Sequence, residues 1–387
     1  MEIENEFETS SAVFDCPDVA RVVLEELRRQ GDVEEDTKVW KWLRTPPRNT
    51  VLRVNTSQMT RTEAIQILEG LVGQNQAIAH PTMHEVISIP GKWGWEHFER
   101  TFSRHPRAVV VGSGCGVAVL RGAEVFAPGI LAAPADMVAE EKVSVWADVR
   151  GTCLRGSKSF SGESCFVGNG VVKFSREDLF SGSEGKVGIG VEMEERLFDC
   201  PSLNSAVLPS SLMLQNFPSI LAVDRLDPKP GERILDMCAA PGGKTCHIAA
   251  RLNGKGVVVA LDKTKAKIDS IKKNCLRQKV DDVVEAHVMD ATKTLKDEGN
   301  CESEKRKVTE DEQSESVNEC ESRMPGPPPW HPALFDRVLL DAPCSALGQR
   351  PQFYNPMKEK ELNSFPKIQR KLFKIAAQHL KPGTFVN

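Results

Sequence analysis

Two stretches of this chain carry residue types whose spacing can do chemistry on a polar ligand. The first is Asp236-Met-Cys-Ala-Ala-Pro-Gly-Gly-Lys-Thr245, directly after the apolar pair Ile234-Leu235. A buried strand that runs into a Gly-rich turn and a helix start presents free backbone N–H groups at its carboxyl end. The turn is a near miss for a nucleoside-triphosphate loop, which needs Gly-x4-Gly-Lys-Ser/Thr. Gly243-Lys244-Thr245 fits, but position 238 is Cys, so ATP is not the expected ligand. The second stretch is Asp341-Ala-Pro-Cys344-Ser-Ala-Leu-Gly348. A rigid proline between an acid and a thiol at a strand end sets both over one pocket. The acid can hydrogen-bond a pyrimidine ring nitrogen, and the thiol can attack or exchange protons if its pKa is lowered. Taken alone, the stretch reads equally well as a strand-end turn with a partly buried cysteine.

The elements that must position these groups are legible from residue 204 onward. Strands are expected over Arg233 to Met237, Gly256 to Leu261, Val283 to Met289 and Phe335 to Leu340, and helices over Thr245 to Leu252, Lys263 to Gln278 and Lys367 to Leu380. Ser211 to Val223 also reads as helical. Strands alternating with helices indicate a parallel doubly wound α/β sheet. Its four strands end at Asp236, Asp262, Asp290 and Asp341, and ligands of such sheets bind beyond the carboxyl ends of the strands. Asp262 suits a ribose hydroxyl pair and Asp290 an adenine amino group. One such acid is weak support, because strand-end acids often cap helices; four in register are stronger.

Residues 1–107 read as a small α/β unit, with helices over Val19 to Arg29 and Arg61 to Leu71 and a β-like run at Val51 to Thr56. From 108 to 203 the pattern becomes short strands punctuated by glycine: Ala108-Val-Val-Val-Gly, Gly116-Val-Ala-Val-Leu, Ala123-Glu-Val-Phe-Ala, Val143 to Val149 and Cys165-Phe-Val-Gly. That spacing predicts a small barrel or sandwich. Gly112-Ser-Gly-Cys-Gly116 hints at a dinucleotide fingerprint, but no helical pattern follows it, so a turn between strands is expected. Lys296 to Pro332 is acidic, Ser-rich and ends in a proline run, the composition of a disordered insertion in the 204–387 domain.

The chain has 387 residues, 40% of them hydrophobic and 27% charged, as expected of a globular protein with several cores. No run approaches the ~20 apolar residues of a membrane span, and the acidic start is not that of a signal or transit peptide. Eleven cysteines without a CxxC pair argue against a disulfide framework or a zinc site and for reduced thiols in the cytosol or nucleus. The net charge of −4 hides an imbalance: 296–323 carries a net −5, leaving the remainder near +1, which leaves room for one basic face.

Together, Asp236–Thr245 and Asp341–Gly348 resemble the Sun-domain (Fmu-like) RNA cytosine-5 methyltransferases. Pro228-Lys-Pro-Gly-Glu-Arg-Ile-Leu-Asp236, Ala260-Leu-Asp-Lys263, and Gln369-Arg-Lys-Leu372 with Leu380-Lys-Pro-Gly383 extend the match over about residues 204–387. The middle domain, through Leu120 to Gly129, resembles a PUA barrel. That order of domains is similar to the PUA-containing tRNA methyltransferase branch, the sixth eukaryotic member of the Sun family. The resemblance implies a Rossmann-like fold and S-adenosylmethionine as cofactor. It implies tRNA as partner, bound at the acceptor stem with the CCA end on the PUA domain, and a cytoplasmic protein expected to act as a monomer. It assigns Cys238, Ala239, Ala240, Pro241, Gly242, Gly243 and Lys244 to the methionine and ribose part of the cofactor, Asp262 to the ribose hydroxyls and Asp290 to the adenine side. Asp341 would face the target cytosine and Lys244 would lie between cofactor and base. Arg121, Arg150, Arg155 and Lys158 are the bases expected on phosphates, each with a solvated surface charge as the plainer reading.

The chemistry implied is addition of a thiolate to carbon 6 of cytosine, which makes carbon 5 nucleophilic, with Asp341 favouring addition through ring nitrogen 3. The base must leave its stack to react. In the family the attacking thiolate lies in a Ser-Thr-Cys motif after the fifth strand, and Cys344 releases the product. No cysteine follows Cys344 in these 387 residues. A sheet incomplete at its C-terminus is therefore expected, with activity in doubt. Two alternatives stand beside it: Cys344 as the nucleophile, as in DNA cytosine-5 methyltransferases, and a catalytically silent tRNA-binding protein.

Overall fold

The computed structural model describes residues 13–29, 36–74, 76–91, 102–181, 186–296 and 325–383. The centre of the expected insertion, 297–324, and the expected final strand at 384–387 lie outside the described residues. Two compact units emerge, one of Met1–Thr50, Ile89–Asn204 and Ala346–Leu362, the other of Val51–Ser88, Ser205–Ser345 and Asn363–Asn387.

The second unit contains the expected parallel sheet. Its strands lie in the order Val284–Val288, Val257–Asp262, Arg233–Met237, Arg337–Leu340, and every pairing is parallel. The order reverses between Arg233–Met237 and Arg337–Leu340, which makes the crevice above that pair the place for a ligand. Both faces of the central strand Val257–Asp262 are covered, so it reads as an unbroken apolar run rather than an alternating one; the edge strand Val284–Val288 carries Glu285 and His287 and is only partly buried. On one face Ile234, Val258 and Ala260 pack with Ile248, Leu252, Ile268 and Ile271 of the helices Gly243–Leu252 and Lys265–Gln278. On the other, Leu235, Met237, Val259 and Leu261 pack with Trp330, Phe335, Leu372 and Ala376, the last two from the helix Phe365–His379. Each fully buried Leu or Ile contributes roughly 1.5–3 kcal/mol.

Two expectations fail in this unit. Ser211 to Val223 is not one helix: Leu212–Leu214 forms a strand and the helix begins only at Phe217. Pro218 lies in its first turn, where a missing N–H costs no intrahelical bond, and so suits a helix start at this point. The insertion is also shorter than 296–332. Trp330 is buried, donates from Nε1 to the Gly326 carbonyl at 3.0 Å, and meets Phe335 and His379 edge to face.

The expected free-standing unit 1–107 is divided. Asn49–Val54 pairs antiparallel with Leu212–Leu214 in a second four-stranded sheet with Val86–Pro90 and Ile78–Ala79. The helix Arg61–Val72 starts from a Thr60/Glu63 capping box. Arg53 has no exposed guanidinium surface to speak of (1%); its Nε donates to Gln215 Oε1 at 2.9 Å and Nη2 to Gln278 Oε1 at 3.2 Å. Asn55 Nδ2 adds a bond to the Gln278 carbonyl at 3.2 Å. These bonds tie residues 51–88 to the unit that holds the parallel sheet.

In the first unit a six-stranded sheet runs Val125–Phe126, Ile189–Arg196, Ser164–Val172, Lys142–Asp148, Ala108–Val111, Ile130–Ala132. Gly116-Val-Ala-Val-Leu, expected as a strand, lies in the helix Ser113–Leu120. Its buried residues Gly116, Val119 and Leu120 fall at i, i+3, i+4, and a Cβ at Gly116 would overlap Ala147. Packing overrides the strand preference of the valines. The helices Pro17–Arg29 and Asp36–Arg44 form a separate cluster around Leu24, Val39 and Trp40. Residues 346–362 also belong to this unit: Phe353 is buried in the core of the sheet, and Asn355 bridges to Phe14.

Candidate active site

The carboxyl ends of the parallel strands enclose a cavity of about 300 Å³, at the lower end of the range for cofactor sites. Cys238, Ala240, Asp262, Met289, Asp341 and Cys344 line it, with Lys263, Lys267, Ile368 and Leu372 completing the wall. The two stretches singled out from the sequence therefore meet in one pocket.

The Gly-rich turn is built by local geometry. Cys238 takes a left-handed conformation (φ 61°), as does Gly242 (φ 101°), so the chain doubles back before the helix Gly243–Leu252. The Ala239 N–H donates to the Leu261 carbonyl at 2.8 Å and Gly242 N–H to the Ala239 carbonyl at 2.8 Å. Of the turn residues assigned to the cofactor, Cys238 and Ala240 line the cavity; Ala239 is buried in the core and Pro241 is exposed, its carbonyl taken by Asn274 Nδ2 at 2.8 Å. Burial pushes the Cys238 thiol up to about 11, so this thiol is neutral and serves as an apolar wall.

Asp262 is buried and held from both sides. Its Oδ2 accepts the Ala240 N–H at 3.1 Å; its Oδ1 accepts the Lys263 N–H at 2.7 Å and faces Lys267 Nζ at 3.1 Å. A carboxylate fixed this way on the second strand is a preorganised acceptor for a ribose hydroxyl pair. Asp290 is placed differently from the expectation. It does not line the cavity; its Oδ1 caps the turn Ala291–Lys293, accepting Thr292 N–H at 3.0 Å and Thr292 Oγ1 at 2.9 Å. The bond from the Thr292 backbone holds the Asp290 carboxyl below its ordinary value. Its neighbours Met289 and Ala291 supply the cavity wall. Asp236 is withdrawn as well: it is fully buried, with Thr245 Oγ1 donating to Oδ2 at 2.7 Å and Oδ1 without a partner.

At the rim, Lys244 Nζ lies 2.7 Å from Asp341 Oδ2, joining the two stretches directly. Cys344 is exposed and free. The loop between them is pinned by Gln369 Nε2, which donates to the Pro343 carbonyl at 2.9 Å. Sequence reasoning missed Lys263, Lys267, Met289, Ile368, Leu372 and the anchoring role of Gln369. The signal for Lys263 and Met289 was their place beside a strand-end acid, for Lys267 its place in the first turn of the helix after Asp262, and for the last three their i, i+1, i+4 spacing on one helix.

The bases expected on phosphates are mostly committed within the chain. Arg121 donates to the Arg350 carbonyl, and burial lowers its pKa. Arg150 pairs with Glu163 at 2.8 Å and Asp15 at 3.1 Å and lies 4.5 Å from the Tyr354 ring centre. Arg155 donates to the carbonyls of Pro128, Ile130 and Leu179. These intramolecular bonds occupy part of each guanidinium's five donors. Lys158 remains exposed. Among the described residues no cluster of His, Cys, Asp or Glu fits a metal ion, and no helix is long and apolar enough to cross a membrane.

The 16S rRNA methyltransferase RsmB/F family model matches residues 223–386. The chain is 41% identical over 344 residues to the tRNA (cytosine(72)-C(5))-methyltransferase NSUN6 of Mus musculus, covering 87% of this chain and 67% of that protein. It is 40% identical over 349 residues to the Homo sapiens NSUN6, covering 88% and 68%. A crystal structure of NSun6 from Pyrococcus horikoshii with SFG superposes with a TM-score of 0.73 at 26% identity, covering 97% of this chain and 82% of that one. The pocket suits the cofactor of these enzymes: a fixed strand-end carboxylate for ribose hydroxyls beside an apolar wall of Met289, Ile368 and Leu372 for a flat base. S-adenosylmethionine, when bound, supplies an electrophilic methyl group. With Asp262 and the turn at one end of the cavity and Asp341, Cys344 and Lys244 at the other, the chain belongs to the S-adenosylmethionine-dependent Sun-domain RNA cytosine-5 methyltransferases, alongside the NSUN6 tRNA enzymes.

Proposed function

We propose that this chain acts on a cytosine near the acceptor end of tRNA, with carbon 5 as the methylated atom. The observation that carries the reading is the Lys244–Asp341 pair at the rim of the cavity that Cys344 also lines. Asp341, oriented by Lys244, accepts or donates at the pyrimidine N3 edge. Lys244 sets the charge beside it, and Gln369 holds the loop so that acid and thiol keep their spacing. A thiolate adding to carbon 6 forms the S–C6 bond and moves electron density to carbon 5. Once carbon 5 carries the methyl group, loss of its proton and cleavage of S–C6 return the thiolate. Asp262, Cys238, Ala240 and Met289 hold the cofactor.

The six-stranded sheet of the first unit, with its Ser113–Leu120 helix, supports a PUA-type barrel, to which we assign the CCA end of the tRNA, with Lys158 as an available phosphate contact. The nine cysteines of the described residues form no disulfide with one another, in keeping with a reducing, cytoplasmic setting, and we take the working species to be a monomer. A second reading is tRNA binding without turnover, through the sheet of the first unit and Lys158.

Incubation with isotope-labelled S-adenosylmethionine and an unmodified tRNA transcript separates the readings. Label at carbon 5 of an acceptor-end cytosine, lost in Cys344→Ser, makes Cys344 the nucleophile. Retention of tRNA without label supports the binding-only reading, and absence of both contradicts the proposal.

A further inference from the structure

The helix Phe365–His379 carries a feature that the cofactor pocket does not use. Lys367, Arg370, Lys371 and Lys374 recur at i, i+3, i+4 and i+7. At 100° per residue they fall within an arc of about 100°, opposite the buried Leu372, Ala376 and His379. All four are exposed, and none forms an ion pair with a described residue. The helix contains no acid, and its one histidine is buried, which pushes the ring down to about 4 and leaves it neutral. Phe373, 56% exposed, borders the stripe.

This arrangement opposes the helix that carries it. Like charges three and four residues apart repel along the same face. Lys367, in the first turn, also meets the positive end of the helix dipole, where the helices Pro17–Arg29 and Arg61–Val72 place Asp18 and Glu63. Four cations with no acid among them are relieved by a polyanion lying along the face. The same helix supplies Ile368 and Leu372 to the cavity wall and Gln369 to the Pro343 carbonyl, so the stripe lies within a few residues of the groups that define the pocket.

We propose that the Lys367–Arg370–Lys371–Lys374 face is a phosphate-binding track that holds the RNA backbone beside the reacting base. It rests on the reading of the pocket as an RNA-methylating site and adds to it the surface on which the substrate lies. Contact is with phosphate rather than base edges, so it contributes affinity and positioning but no sequence preference. Phe373 offers a face on which an unpaired base can stack.

The test is tRNA binding by the whole chain between about 50 and about 300 mM salt, for the parent and for Lys367→Gln/Arg370→Gln/Lys371→Gln/Lys374→Gln combined. Each lost phosphate contact lowers the slope of log affinity against log salt by about 0.9 on duplex. The expected result is a slope reduced by two to three units or roughly that, with at least a tenfold loss of affinity near 150 mM or about physiological salt. Affinity for S-adenosylmethionine should be unchanged and the thermal midpoint should not fall, and the charge-retaining Arg370→Lys/Lys371→Arg variant should bind like the parent. A parent that binds tRNA and a quadruple variant with the same slope would overturn the track alone. A parent that does not bind tRNA even at low salt would overturn the RNA reading and the track with it.

Discussion

Asp236 ends the first parallel strand with no exposed surface, one oxygen held by Thr245 and the other, Oδ1, unpartnered. Burial raises its carboxyl to about 7, against about 3.9 in an unfolded chain. The folded state therefore keeps a proton that the unfolded chain has lost. The contribution of this group to stability is therefore full below about pH 4, is lost as pH rises to about 7, and is level above that, a loss of roughly 2–4 kcal/mol. Asp236→Asn keeps an acceptor for Thr245 and carries no charge. Between pH 5 and 8 the unfolding free energy of the parent should fall by roughly 2–3 kcal/mol relative to that of Asp236→Asn; parallel profiles would remove Asp236 as the cause. At this scale the sequence was readable where chemistry and strand end coincide, at Asp262, Asp341 and Cys344. It misled at Asp290, because an aspartate at a strand end caps a turn as readily as it binds a ligand. It did not show that Arg121, Arg150 and Arg155 also bond within the chain, because a positive charge in a sequence does not show which carbonyls or carboxylates will gather around it.

The turn that forms the pocket floor depends on Gly242, whose φ of 101° suits glycine and whose added Cβ would lie 3.1 Å from Ile271 Cα on the neighbouring helix. Gly242→Ala should destabilise the chain by about 1–3 kcal/mol, read as a lower urea midpoint with an unchanged slope. An unchanged midpoint would mean that the turn relaxes freely. Every strand of the parallel sheet was legible, the central ones as continuous apolar runs ended by an acid and the edge strand Val284–Val288 as a β-branched run interrupted by Glu285 and His287. The elements that failed are those where two signals compete. Gly116-Val-Ala-Val-Leu has strand-forming valines but packs as a helix, because the glycine lets it approach Ala147. Ser211 to Val223 has helical content, but Leu212–Leu214 is drawn into pairing with Asn49–Val54 and the helix starts only at Phe217, with Pro218 in its first turn. Trp330, at the edge of an acidic, proline-rich segment, gave no periodic signal of its burial between Phe335 and His379.

At the scale of the molecule, the boundaries read from composition differ from the compact units, because residues 51–88 and 346–362 each leave their neighbours in sequence. The first of these is secured by Arg53, a buried cation bonded to two glutamine side chains. Burial lowers its guanidinium to about 10, so it is still charged at neutral pH. Arg53→Ala strands both amide oxygens and leaves a void, and should cost about 2–4 kcal/mol. A loss under about 1 kcal/mol would show that the apolar contacts of the strand suffice. The account as a whole turns on the cavity at the reversal of strand order being the cofactor site. Calorimetric titration of S-adenosylmethionine into the parent chain and into Asp262→Ala measures this most directly. Saturable one-to-one binding by the parent, weakened at least tenfold by the substitution in a protein with an unchanged melt, is the predicted result; equal affinity in the two proteins, or none in the parent, would contradict it.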